Sequence, residues 1–181
     1  MRIILASIIA LVLAYFYTDR QLYFYGKSDL DVYHPLPINV KPDYWGYDLG
    51  NTGFVLIDDF DFVVAGKGVK YRNSEVVVNE IIKYGFDREK VFALVSDSLD
   101  KEHWVRLQSA GGSDIEASVD ATVDQRELAW IEIEGKEVDV RMLEWIHSFV
   151  RIGLFILIVV IGIKTIRVLL QKVNRPTTTK T

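Results

Sequence analysis

The stretch FVRIGLFILIVVIGIKTIRVLL, residues 149–170, holds an uncharged apolar core from Ile152 to Ile163. As a helix its 22 residues reach roughly 33 Å, enough to cross a hydrocarbon layer of about 30 Å. Arg151 stands near one end and Lys164 and Arg167 near the other. From there long side chains snorkel to water, and no charge occupies the middle, where a pore or a voltage sensor needs one. Residues 148–171 are therefore expected to form a transmembrane helix. The basic residues Lys164, Arg167, Lys172, Arg175 and Lys180 follow without a single acid. The positive-inside rule places the tail, residues 172–181, in the cytoplasm.

Working back to the other end, residues 3–17 read IILASIIALVLAYFY, fifteen residues without a charge, between Arg2 and the group Thr18, Asp19 and Arg20. This is short against the 17 to 25 residues, roughly, of a spanning helix. Tyr15, Phe16, Tyr17, Tyr23, Phe24 and Tyr25 extend its reach, since aromatic rings suit the headgroup layer. Residues 1–20 are read as an N-terminal signal anchor. The alternative is a cleaved signal peptide, for which Val12, Leu13 and Ala14 supply a small-residue pattern. Two crossings return the chain to its starting side, with both termini cytoplasmic and the centre outside. No N-x-S/T sequon occurs, so a bacterial inner-membrane protein with a periplasmic domain is the simplest expectation.

Charge follows the same division. The chain has 181 residues, 50% of them apolar and 25% charged, a mean hydropathy of +0.15, and no cysteine. All 25 acidic residues lie between Asp19 and Glu144, against 14 Lys and Arg, which leaves that stretch at −11. The lack of cysteine removes disulfides, thiolate metal sites and cysteine catalysis. The acidic centre argues against nucleic acid as a partner.

Residues 21–53 contain Pro35, Pro37 and Pro42, several Gly and Asn breakers, and a concentration of tyrosine. They are expected to be extended and irregular. Within them Tyr44, Trp45 and Tyr47 are flanked by the acids Asp43 and Asp48. Rigid aromatic anchors in an acidic setting make these five residues the candidate partner-binding surface.

Residues 54–147 are expected to form an extracytoplasmic α+β domain, an antiparallel sheet with one packed helix. Residues 54–58, 60–65, 69–71, 90–96, 103–108 and 115–123 read as strands by their β-branched and aromatic content. The helix is placed after Asn73 or Ser74, with Val77, Val78, Ile81, Ile82 and Tyr84 on one face and Gly85 at its end. The segment AWIEIEGKEVDVR alternates around Gly135 and predicts a hairpin with Ile131, Ile133, Val138 and Val140 on one side. Trp145 and His147 are expected at the membrane interface, His147 in an ordinary structural role.

No residue set reads as a catalytic, metal or cofactor site. Asp58, Asp59 and Asp61 in LIDDFDF are more simply a solvated strand face than a cation site, with Asp59 and Asp61 on one side. Asp97, Asp100, Glu102 and His103, with Ser96 and Ser98 nearby, are the right types for hydrolysis. They lack a nucleophile elbow or a second histidine and read as a polar hairpin turn. Gly66 and Gly68 with Lys67 and Lys70 miss the ending of a phosphate loop, and His34, His103 and His147 are far apart in sequence. The expected function is non-enzymatic: a membrane-anchored protein whose acidic domain binds another protein. An immunity or exclusion protein and an accessory subunit of an envelope complex both fit. A ligand- or glycan-sensing domain stacking on Tyr44, Trp45 and Tyr47 is the second reading, and a membrane-anchored hydrolase the third.

Overall fold

The computed structural model describes residues 2–30, 36–45, 53–71, 74–111, 114–120, 123–124 and 128–173. They fall into two compact units, a helical one from the two ends of the chain and a domain spanning 19–143.

The helical unit is made of α1 (Arg2–Tyr23) as far as Thr18 and of α2 (Glu137–Val173) from Glu144 onward. The helices pack antiparallel: Gly153 faces Leu11, and farther along α1 the ring of Tyr15 lies on His147 at 4.7 Å. Shielded positions recur every three or four residues on both, at Ile8, Leu11, Tyr15 and Thr18 and at His147, Val150, Leu154, Leu157 and Ile161. That spacing is the seam of two helices laid side by side. His147 is 4% exposed, and its Nδ1 lies 2.8 Å from the Thr18 hydroxyl, also buried. The hydroxyl proton is drawn to the carbonyls of Ala14 and Tyr15 at 2.9 and 3.1 Å. Trp145, by contrast, is 62% exposed. The region Glu137–Arg167 is long and apolar enough to cross a membrane. Away from α1 it exposes Phe149, Phe155, Ile158 and Ile163.

The domain contains two antiparallel sheets. The first has the order β1 (Val40–Trp45), β2 (Gly53–Asp58), β3 (Val63–Ala65). The second has the order β7 (Asp114–Asp120), β6 (Glu102–Gly111), β5 (Lys90–Asp97), β4 (Val78–Phe86), β8 (Ala129–Glu132). One core joins them: Phe54 and Leu56 of β2 meet Ile81 and Tyr84 of β4, Ala93 and Val95 of β5, and Val105 and Leu107 of β6. Phe54 stacks on Tyr84 with centroids 5.4 Å apart. The Tyr84 hydroxyl donates to the carbonyl of Phe24 at 2.9 Å, bringing the chain after α1 onto the same residue. Close by, the buried Asp19 carboxylate accepts from the Ser28 hydroxyl and the Asp29 amide at 2.8 and 2.7 Å.

The α+β class holds, with corrections. The expected helix over 74–85 is strand β4. Its buried residues Val78, Ile81 and Tyr84 are three apart because the pairing with β5 shifts register twice, between Val78 and Glu80 and between Ile81 and Lys83. Each β-bulge adds one residue, so a period of two is stretched into a helical spacing. Among the described residues, no helix lies between α1 and α2.

The expected hairpin around Gly135 is half strand and half helix. The amides of Ile133 and Glu134 both bond the carbonyl of Ile82 at 2.9 and 3.0 Å, and Gly135 at φ 71° turns the chain out of the sheet. Glu137 and Asp139 then favour a helix start through its dipole. Val138 becomes 78% exposed while Val140 is buried. α2 therefore begins well before residue 148. Residues 60–65 are strand only from Val63, and the irregular region 21–53 contains β1, where Pro42 sits in an edge strand that has no ladder bond to lose on its outer side.

Burial holds the Tyr84 phenol well above its ordinary pKa of 10.0. The unfolded chain ionises this group near pH 10 and the native chain does not, so its contribution to stability is present below pH 10 and falls as pH rises further. Tyr84→Phe removes both this dependence and the bond to Phe24. Urea unfolding of the full chain in non-ionic detergent is expected to show a loss of about 1–2 kcal/mol at neutral pH, with a shallower decline above pH 10.

Candidate functional site

Asp43 and Tyr44 lie on edge strand β1, opposite Val55 and Phe54 of β2. Their position is fixed by Gly26, at φ 68°, where any Cβ would overlap the backbone of Asp43 and Tyr44. Asp43 Oδ1 accepts from the Tyr44 amide at 2.7 Å. The Tyr44 ring is 45% exposed, with Lys27 Nζ 4.6 Å from its centroid. One face of this anchor is thus taken by a cation of the chain itself. Trp45 closes β1 by pairing with Gly53, whereas Tyr47 and Asp48 lie outside the described residues. Of the five candidate residues, Asp43, Tyr44 and Trp45 are consecutive on one strand, whose alternation turns Asp43 and Tyr44 to opposite faces.

The SDSLDKEHW segment is the turn between β5 and β6. Asp97 Oδ1 accepts from the amides of Leu99 and Lys101 at 2.8 and 3.0 Å, and its Oδ2 lies 2.8 Å from His103 Nε2. The bond to His103, followed by those amides, holds the Asp97 carboxyl below its ordinary value of 3.8. Asp97 and His103 therefore meet. Asp100, at φ 57°, and Glu102 are exposed, and Glu102 pairs with the buried Ser96 on the opposite face of the sheet from His103.

In LIDDFDF the expected strand face is instead a tight turn. Asp58 Oδ1 accepts from the amides of Phe60 and Phe62, both at 2.9 Å. Asp61 takes φ 62° and pairs with Lys41 Nζ at 3.2 Å. Phe60 and Phe62 stand 62% and 69% exposed. Among the described residues no group of three His, Asp or Glu side chains is placed to hold a metal ion.

One constellation escapes the sequence reading. On the face of the five-stranded sheet away from the core, Trp104 of β6 and Trp130 of β8 come within 5.4 Å, tilted by 54°. Lys83 of β4 places its Nζ 5.0 Å from the Trp130 centroid and 5.8 Å from that of Trp104. Gly85 makes the room, for a Cβ there would stand 2.6 Å from the Trp130 ring. Register supplies the rim: Lys83 pairs with Glu132, and Trp104 with Asp120. The Asp120 carboxylate is also 3.4 Å from Arg106 Nε. Alternation in AWIEI and HWVRL sets each tryptophan on the face opposite its inward neighbours. Their meeting depends on strand order, which no local pattern carries.

No family model, no characterised protein and no solved structure matches the chain.

Because the Asp97 carboxyl is held low, its contribution to stability is complete above pH 3.8 and lost as pH falls. His103→Gln removes the largest cause. Carboxyl-carbon NMR is expected to show the Asp97 midpoint rising toward the ordinary aspartate range; an unmoved midpoint contradicts the assigned order of causes.

Proposed function

We propose that this is a non-enzymatic protein of the bacterial inner membrane that crosses twice, keeps both termini in the cytoplasm, and uses its acidic periplasmic domain to bind a partner protein at the membrane surface. The observation that carries this reading is the apolar surface of α2, where Phe149, Phe155 and Ile158 are each about two-thirds exposed, an arrangement suited to lipid and costly in water. The antiparallel seam with α1 supports a second crossing, since a helix aligned with a spanning helix over Leu11 to Thr18 shares its depth.

For the domain, the support is charge and surface. A net −11 between Asp19 and Glu144 attracts a cationic partner over about 10 Å at 0.1 M salt. The partner surface is assigned to Asp43, Tyr44 and Trp45 of β1, with Tyr47 and Asp48 following in sequence. Neutralising an incoming toxin, or serving as an accessory subunit of an envelope complex, are the two roles such a tethered binder suits.

Crosslinking in intact cells followed by purification of the full chain in detergent tests this. A stoichiometric partner is expected, retained less well as salt rises, and recovered about tenfold less with Tyr44→Ala together with Asp43→Lys. Recovery of the chain alone after crosslinking contradicts the proposal.

A further inference from the structure

Two tryptophans facing one cation are a recognition arrangement as well as a packing one, because the indole face attracts ammonium and guanidinium groups. On the outer face of the five-stranded sheet Trp104 and Trp130 are half-buried, and the Trp130 ring rests directly on the backbone of Gly85. The present occupant is Lys83, whose one ion pair among the described residues, to Glu132, is 4.0 Å long and ends on a carboxylate 54% exposed. Such a pair is weak. A flexible ammonium on a four-carbon stem is also a poorer match to two indole faces than a planar guanidinium, which stacks.

We infer that Trp104 and Trp130 form a seat for an arginine side chain of a partner protein, which Lys83 fills in the free domain. The match is one of charge as well as shape. Glu132 and Asp120 border the seat by strand register, and the surrounding stretch carries −11. An arriving arginine displaces one cation by another, so no buried charge is left unpaired. Lys83 keeps the indoles covered when no partner is bound. The inference rests on the partner reading above and adds to it a second contact surface, on the five-stranded sheet rather than on β1.

The test uses the full chain in non-ionic detergent, with N-acetylargininamide as the probe, N-acetylglutaminamide as the neutral control, and tryptophan emission as the readout at fixed ionic strength. Lys83→Met is expected to bind the arginine probe about tenfold more tightly than the unaltered chain, and Trp104→Leu in the Lys83→Met background to lose that gain. Lys90→Met removes the same charge elsewhere on the sheet and is expected to leave affinity unchanged. A matching urea midpoint shows that each variant is folded. The inference is overturned if Lys83→Met binds no better than the unaltered chain, if Lys90→Met gives the same gain, or if binding survives Trp104→Leu. Failure here with a crosslinked partner still recovered removes the seat and leaves the partner reading standing.

Discussion

The hydroxyl of Tyr84, bonded to the carbonyl of Phe24, is the point on which the domain's architecture depends. The same ring stacks on Phe54, so the end of α1, the three-stranded sheet and the five-stranded sheet all converge on one fully buried side chain. A buried phenol must find an acceptor, and here the acceptor is main chain that would otherwise lack a partner at a helix terminus. The two bulges of β4 bring Ile81 into the core between Val78 and Tyr84, and the second bulge residue, Ile82, offers its carbonyl to two amides of the segment that leaves β8. The irregular pairing thus sets both the core and the exit into α2.

Those bulges also mark where sequence stops being legible. The hairpin of β5 and β6 is plain to read, since Val91, Ala93 and Val95 alternate strictly and Asp97 to Lys101 is a turn. β4 reads as a helix because its inward residues are three apart, a spacing that a strand acquires only through its neighbour's register. Val138 and Val140 look like a strand face, and the signal to the contrary was the pair of acids, Glu137 and Asp139, at a helix start. Pro42 conceals β1, since proline argues against a strand unless the strand is known to lie at an edge. In the candidate site, the Asp97 turn was readable from its residue types. The union of Trp104, Trp130 and Lys83 was not, because three strands distant in sequence supply it.

Charge and hydropathy are divided as sharply in space as along the chain. α2 exposes large apolar side chains over the length of a membrane span, while the acids gather in the domain, several of them as caps for turns. Asp58 and Asp97 each satisfy two backbone amides, and Asp19 holds the segment after α1. The acidic surface is interrupted by aromatic side chains: Tyr44 beneath Lys27, and the two tryptophans beneath Lys83. In both places a lysine of the chain covers an aromatic face.

The sidedness of the chain decides the functional reading. Since it has no cysteine, single substitutions report on sidedness without background. Asp59→Cys, Leu99→Cys and Thr178→Cys, treated in spheroplasts with a membrane-impermeant maleimide, are expected to react at 59 and 99 and to stay unlabelled at 178 until the cells are lysed. Labelling at 178 before lysis, or protection of both 59 and 99, contradicts a membrane-anchored domain that meets its partner outside the cytoplasm.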